Sequence, residues 1–265
     1  MGEKTISYKE INFSEAEICI GNKKFKYYIS PLLRKNSFKH GFFTSSSSKK
    51  YIKSLSKQFH KNYKNCTLDQ IHSDKIVFSS SACRKIEPQA DGIFCNKFNQ
   101  NLWIYTGDCM PIFFADKKKR FVAALHCGRK GLEKGIIKNI VKFFDKFGSC
   151  RDDLLVAVGP SISKKNYLVD KNIFKEFYEK NKSRGLIKSI NKIEKSIDLA
   201  NLIICGKEDS IQLDLRKYAY MHLLNENISS SNIEISNLCT YESDGEFNSW
   251  RRNKTKARQW SFISP

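Results

Sequence analysis

The sequence predicts an α/β fold, a layered sandwich of mixed β-sheets with flanking helices, and three observations predict it. Short apolar runs bounded by turn formers read as strands. Other segments repeat apolar residues at every third or fourth position and read as helices. One pair of strands lies close enough in sequence to form a hairpin, after which helix and strand alternate, a pattern of mixed sheets. No linker, low-complexity stretch or internal repeat divides the 265 residues, and 40% of them are hydrophobic, enough for a sizeable core. Residues 1–265 are therefore read as one domain.

In chain order, Leu102–Tyr105 is a short apolar strand. Pro111–Ala115 and Phe121–Leu125 flank the polar turn Asp116–Arg120 as the two arms of the hairpin. A helix is expected over Gly131–Phe147, where Leu132, Ile136, Ile140, Phe143 and Phe147 share a face and Gly148 supplies a stop. Leu154–Val158 reads as a strand ended by Gly159-Pro160. Ile173, Phe174, Phe177 and Tyr178 mark a second helix, and Leu215, Ala219, His222 and Leu223 a third. Ile233–Ser236 alternates as a half-buried strand. The polar stretch Asn181–Asn201 carries no pattern that places it.

The 47 Lys+Arg against 27 Asp+Glu give a formal charge of +20. These lysines are scattered among abundant Asn and Ile, so the excess reads as a solvated cationic surface rather than a nucleic-acid footprint. Such a field also draws small anions such as phosphate. The 9 cysteines are odd in number, irregularly spaced and lack a Cys-x-x-Cys pair, which argues against a disulfide framework or a zinc knuckle. Reduced thiols and a cytoplasmic location are expected. Met1–Glu10 is too polar for a signal peptide, and no apolar run reaches the roughly 18 residues of a membrane helix.

His and Cys recur where apolar runs break into small polar residues. Thr67–Ile71 leads into His72, Leu102–Tyr105 leads toward Cys109, and Phe121–Leu125 leads into His126. Side chains held at strand ends are rigid and open to a cleft. One thiolate and two imidazoles make a zinc set whose fourth position stays open, the pattern of catalytic zinc. The separations of 37 (109 − 72) and 17 (126 − 109) residues match no compact metal motif.

Seven short motifs in order resemble the laccase-domain family, also called the polyphenol oxidase or YfiH family, which includes the peptidoglycan editing factor. They are Gln70-Ile-His72, Ala90-Asp91-Gly92, Thr106-Gly-Asp-Cys109-Met-Pro111, Leu125-His126-Cys-Gly128, Gly131-Leu132, Val158-Gly-Pro-Ser-Ile162 and Phe247-Asn-Ser-Trp-Arg251-Arg252, with His40-Gly-Phe-Phe-Thr44 similar to the N-terminal motif. The resemblance implies a layered α/β sandwich with metal ligands at His72, Cys109 and His126. It implies Zn²⁺, or copper, as the cofactor. The activity it implies is purine nucleoside phosphorolysis together with adenosine deamination, on adenosine, inosine or methylthioadenosine. Purine nucleoside and phosphate are then the partners of a monomer or small homo-oligomer, without nucleic acid or membrane.

Cys109, His126 and Asp108 are the catalytic candidates, and Gln70 and Asp91 are candidates for holding the ligands in place. His40, Lys130, Arg251, Arg252 and Arg258 are candidates for substrate or phosphate, guanidinium groups being suited to bidentate phosphate contacts. Against the family pattern, Arg129 stands in place of Trp, Lys130 keeps the basic position, and Ser45 stands in place of Arg. Gly107, Asn166 and Ala257 replace the usual Ala, Cys and Gly. Other readings are a metal-free hydrolase with Cys109 as nucleophile and His126 as base, acting on peptidoglycan precursors, and a copper polyphenol oxidase. The copper reading meets only five histidines and no His-x-His pair. A non-enzymatic basic binding protein rests on charge alone.

Overall fold

The computed structural model describes residues 8–173, 176, 203–205 and 210–265. Its strands are β1 (Glu10–Ile11), β2 (Ser14–Ile20), β3 (Lys23–Ile29), β4 (Lys39–Phe43), β5 (Lys64–Cys66), β6 (Ile76–Phe78), β7 (Gly92–Cys95) and β8 (Gln100–Thr106). They continue as β9 (Met110–Asp116), β10 (Val122–Cys127), β11 (Leu154–Val158), β12 (Leu168–Asp170), β13 (Ile203–Cys205), β14 (Ser210–Leu213), β15 (Ile233–Ser236) and β16 (Gln259–Ser264). The helices are α1 (Pro31–Lys35), α2 (Ile52–Phe59), α3 (Ser79–Ala82), α4 (Arg129–Lys134), α5 (Ile136–Lys146), α6 (Leu215–Asn225) and α7 (Trp250–Asn253).

Among the described residues the strands form three sheets. A seven-stranded sheet runs β1-β15-β11-β9-β10-β7-β6, and a six-stranded sheet runs β2-β3-β4-β16-β8-β5. A small sheet runs β12-β14-β13. Both large sheets are mixed: β15 is parallel to β11 and β6 to β7, whereas β9 and β10 are antiparallel. The chain is thus an α/β protein of layered, mixed sheets, as its sequence predicts.

Side-chain alternation along β9 shows how the layers form. Ile112 and Phe114 face the core that α4, α5 and α6 cover, whereas Phe113 and Ala115 face the six-stranded sheet. All four are fully buried, so a strand covered on both faces reads as an unbroken apolar run. Phe113 stacks on Phe42 of β4 with centroids 4.6 Å apart, joining the two sheets. The outer face of the six-stranded sheet packs Phe25, Trp103 and Phe262 against Leu55 of α2.

The hairpin forms as expected, Val122 pairing with Ala115 and His126 with Pro111. Asp116 holds its turn, Oδ1 accepting from the N–H groups of Lys118 and Lys119 at 2.8 Å each. The strands at Leu154–Val158 and Ile233–Ser236 and the helix through Leu215 and Leu223 also form. The helix expected over Gly131–Phe147 is instead two helices. Gly135 adopts the left-handed conformation (φ 95°), ending α4 and redirecting the chain into α5, whose Ile136, Ile140 and Phe144 face the core.

The segment before His72 is not the strand-like approach its apolar residues suggest. β5 ends at Cys66, and Asp69 makes only an isolated bridge to Gln89, so His72 sits on a loop. The expectation of reduced thiols is corrected for one pair: Cys66 and Cys83 form a disulfide, their Cα atoms brought to 4.2 Å where β5 passes the end of α3, while Cys19, Cys95, Cys109, Cys127, Cys150 and Cys239 are free thiols. Of the helix expected through Ile173, Phe174, Phe177 and Tyr178 only Ile173 is described, in helical conformation; the other three and the stretch Asn181–Asn201 lie outside the described residues. Among the described residues no helix is long and apolar enough to cross a membrane.

Candidate metal centre

The three residues that open the site come from separate parts of the chain. Cys109 immediately precedes β9, His126 lies in β10 beside it, and His72 sits on the loop after β5. Their ligand atoms all lie within 4.8 Å of one another. Cys109 Sγ is 4.0 Å from His72 Nε2, and the two imidazoles meet edge to face with centroids 4.7 Å apart. Tetrahedral zinc, with sulfur at about 2.3 Å and nitrogen at about 2.0–2.1 Å, sets its donors roughly 3.3–3.7 Å apart, so small side-chain rotations suffice.

Asp91, fully buried just before β7, ties two of these residues together. Its Oδ1 accepts from His126 Nδ1 at 2.8 Å and from the His72 N–H at 3.0 Å. Its Oδ2 accepts from the Ser73 N–H at 2.6 Å, the Ser73 hydroxyl at 2.7 Å and the Ile71 N–H at 3.3 Å. These bonds fix His72 in its left-handed backbone conformation (φ 57°). They also occupy Nδ1 of His126, leaving Nε2 as the ring's free ligand atom. Gln70 pins the same loop to β8: its Nε2 donates to the Tyr105 carbonyl at 2.7 Å and its Oε1 accepts from the Tyr105 N–H at 2.9 Å.

Charge at the centre is mutually supporting. Burial alone would raise the Cys109 thiol, but the His126 and His72 imidazoles outweigh it and bring it down to about 6. Burial opposes charge on His126 too, yet Cys109 and Asp91 hold it up at about 9. Asp91 stays below the usual carboxylate range because hydrogen bonds from His126 and Ser73 overcome its burial. Gly128 makes the close approach possible. A Cβ there would lie 2.7 Å from Cys109 Sγ and 3.7 Å from the His72 ring. A thiolate, two imidazoles and a backbone cradle free of side chain fit a metal ion, and this is the one such ligand group among the described residues.

The remaining candidates are placed differently. Both oxygens of Asp108 are engaged away from the three ligands, Oδ1 by the Thr240 hydroxyl at 2.8 Å and Oδ2 by the Arg251 N–H at 2.6 Å. With φ at 107°, Asp108 shapes the turn that delivers Cys109. His40 is buried in β4, and both its ring nitrogens meet backbone, Nε2 accepting from the Ser30 N–H and Nδ1 donating to the Phe38 carbonyl, each at 2.9 Å. That leaves it no nitrogen for an anion. Arg252 spends its guanidinium on the carbonyls of Thr240, Tyr241 and Phe247 at 2.7–2.9 Å.

Arg251 donates to the Leu168 carbonyl at 2.6 Å and lies over the Tyr167 ring. Arg258 donates to the carbonyls of Thr255 and Ala257. Lys130 is exposed on α4. Sequence reasoning passed over Ser73, Thr240, Gly128 and Tyr167. Tyr167 lies under the Arg251 guanidinium, 5.0 Å from the ring centroid, and burial raises the Tyr167 hydroxyl. Arg129, in the position usually held by Trp, pairs with Glu133 one turn along α4. Ser73 and Gly128 lie beside candidate ligands in the sequence, which is a usable signal; Thr240 and Tyr167 are evident only once strands distant in sequence meet.

A His/Cys/His group brought together around the start of β9 and the end of β10 marks an α/β protein with a candidate metal-binding site. The family described as multi-copper polyphenol oxidoreductase laccase matches residues 45–265, and the chain belongs to it. Among similar proteins, a purine nucleoside phosphorylase of Synechocystis sp. is 27% identical over 84% of this chain and 88% of its own length. One from Clostridium acetobutylicum is 32% identical over 74% of this chain and 75% of its own length. The solved structure of YlmD from Geobacillus stearothermophilus shares the fold, with a TM-score of 0.75 at 18% identity over 95% of this chain and 99% of that one. The hypothetical protein YfiH from Bacillus licheniformis gives a TM-score of 0.74 at 22% identity over 91% and 96%.

Proposed function

We propose that this single-domain chain is a zinc-dependent purine nucleoside phosphorylase that also deaminates adenosine, working in the cytoplasm on purine nucleosides and phosphate. The observation that carries this reading is the convergence of His72, Cys109 and His126 around one point, with Asp91 fixing both histidines. The names of the Synechocystis and Clostridium relatives support the substrate class. His72 Nε2, Cys109 Sγ and His126 Nε2 would hold the ion, which supplies Lewis acidity when bound.

The chain's own residues do the rest. Asp91 keeps the His126 proton on Nδ1 and holds the His72 backbone, so the donor set is organised in advance. Gly128 leaves the approach to Cys109 open. Arg251, Arg258 and Lys130 are the cations we assign to the phosphate, because Arg251 and Arg258 each spend only Nη1 on backbone, whereas Arg252 commits both Nη atoms and His40 both ring nitrogens. Tyr167, bordered by Arg129 and Arg251, forms the wall on which the nucleoside is oriented.

Metal analysis of the purified protein, with product analysis on adenosine and inosine in phosphate buffer, tests the reading. Stoichiometric zinc and the appearance of ribose 1-phosphate and hypoxanthine are expected. Finding neither product overturns it. A second reading has its own support, because a thiol held near 6 beside an imidazole is also the arrangement of a Cys/His hydrolase. The two separate on alkylation: zinc protects Cys109 from iodoacetamide in the first, whereas the rate is the same with and without zinc in the second.

A further inference from the structure

On the outer side of the six-stranded sheet, α2 borders a recess of about 580 Å³ lined by none of the metal ligands. Ile52 and Leu55 are buried beneath the helix, while Lys49, Lys53 and Lys57 follow one another at steps of four residues. Lys61 and Lys64 complete the recess, and it is lined by no carboxylate at all. Like charges one turn apart on a helix repel. Nothing among the described residues neutralises Lys53, Lys57, Lys61 or Lys64, whose side chains are all exposed.

A second recess of about 500 Å³ shares Lys49 with the first, but its Arg258 packs against Gly107, two residues before Cys109, so it belongs with the metal centre. Its single carboxylate, Glu87, is already engaged by Lys49 at 2.7 Å and by the Thr67 hydroxyl at 2.6 Å. The recess beside α2 is lined by five Lys and no acid, whereas the whole chain has 47 Lys+Arg to 27 Asp+Glu. A general excess of lysine does not account for that concentration around one concave surface. His60, at one end and stacked on Tyr63 with centroids 3.8 Å apart, is held below its ordinary value by burial and by the charge of Lys39.

We infer that the recess beside α2 forms a second binding site, sharing no residue with the metal ligands, for a ligand carrying a chain of adjacent phosphates. A linear polyanion suits a row of exposed ammonium groups spaced along a groove, which act as point charges rather than as bidentate clamps. The inference does not depend on the activity at the metal centre.

Inorganic tripolyphosphate is the probe, titrated calorimetrically into the full chain at low and at moderate salt. Saturable binding that weakens with salt is expected, and the double variant Lys53→Glu/Lys57→Glu should lower affinity about tenfold or more. The control is Lys138→Glu/Lys142→Glu, the same charge change on the exposed face of α5, which lines neither recess. It should leave affinity within about threefold of the unaltered chain. Equal losses in the two variants would mean that net charge alone attracts the probe and would overturn the site, as would no binding below about 1 mM. Adenosine triphosphate distinguishes the sources of the chain: equal affinity assigns recognition to the phosphates, and tighter binding to a nucleotide. Thermal melts of both variants confirm that each is folded, and nucleoside turnover, measured in parallel, stays unchanged in both.

Discussion

The metal centre and the C-terminal turn that carries Arg252 stand beside one another, are rich in the same kinds of residue and use them in opposite ways. At the centre one buried carboxylate, Asp91, gathers four donors from the loop around His72 and one from His126, leaving the far sides of the ligand residues free. At the turn, Asp108 and Arg252 spend themselves on the Thr240 hydroxyl, the Arg251 N–H and three backbone carbonyls. The difference teaches that a charged residue in a functional motif is judged by where its hydrogen bonds go. Groups whose bonds close on backbone build the frame, and groups left with an open lone pair can react.

The largest effect that would test this division lies in the frame, at His40. Burial holds its imidazole at about 4, below the ordinary 6.5, and a proton on Nε2 would also face the Ser30 N–H. As the pH falls the unfolded chain takes up that proton first. Stability from this group is therefore complete above pH 6.5 and is lost between pH 6.5 and 4. The full loss is about 3 kcal/mol. Urea titrations across this range should show the fall, and His40→Gln should flatten it. A fall of the same size in the variant would show that His40 is not the group responsible.

At the centre, Asp91→Asn is expected to lower zinc affinity about 10- to 100-fold while the chain stays folded, as read by competition with a chromophoric chelator. Asparagine keeps the size of the carboxylate but cannot accept from all five donors. Unchanged affinity would mean that the protein frame, and not Asp91, sets the two histidines. Arg252→Lys carries the complementary expectation. Loss of the planar fork should cost about 2 kcal/mol of stability, visible in denaturant midpoints, with kcat/KM altered less than about threefold. A large change in the phosphate KM would move Arg252 out of the frame and into the binding site.

Much of this organisation was legible in the sequence. The strands at Leu154–Val158 and Ile233–Ser236 declare themselves because a buried strand needs a short apolar or alternating run. The convergence of His72, Cys109 and His126 was legible through the motifs around them rather than through spacing, since the three meet only after β9 and β10 pair and the loop docks on Asp91. The break at Gly135 was not legible, because the apolar face continues past it and only the left-handed backbone separates the two helices. The partners of Arg252 and His40 could not be read either. They are backbone groups, and a sequence does not say which carbonyl a distant guanidinium will meet.

Asp108 gives the smallest effect and the finest distinction. Its motif neighbour Cys109 makes it a natural acid/base candidate, yet its carboxylate already accepts from Thr240 and Arg251 and its φ of 107° sets the turn into β9. A residue so engaged acts through Cys109 as a positioning residue. Asp108→Asn retains one acceptor oxygen, so about 1 kcal/mol of stability should be lost and kcat should fall modestly through misplacement of Cys109. A general acid or base would do more than lower the rate: its removal would delete one limb of the pH–rate profile. We expect both limbs of the profile to remain where they are in Asp108→Asn. A missing limb would return Asp108 to the chemistry and dissolve the division between centre and frame at the point where the two touch.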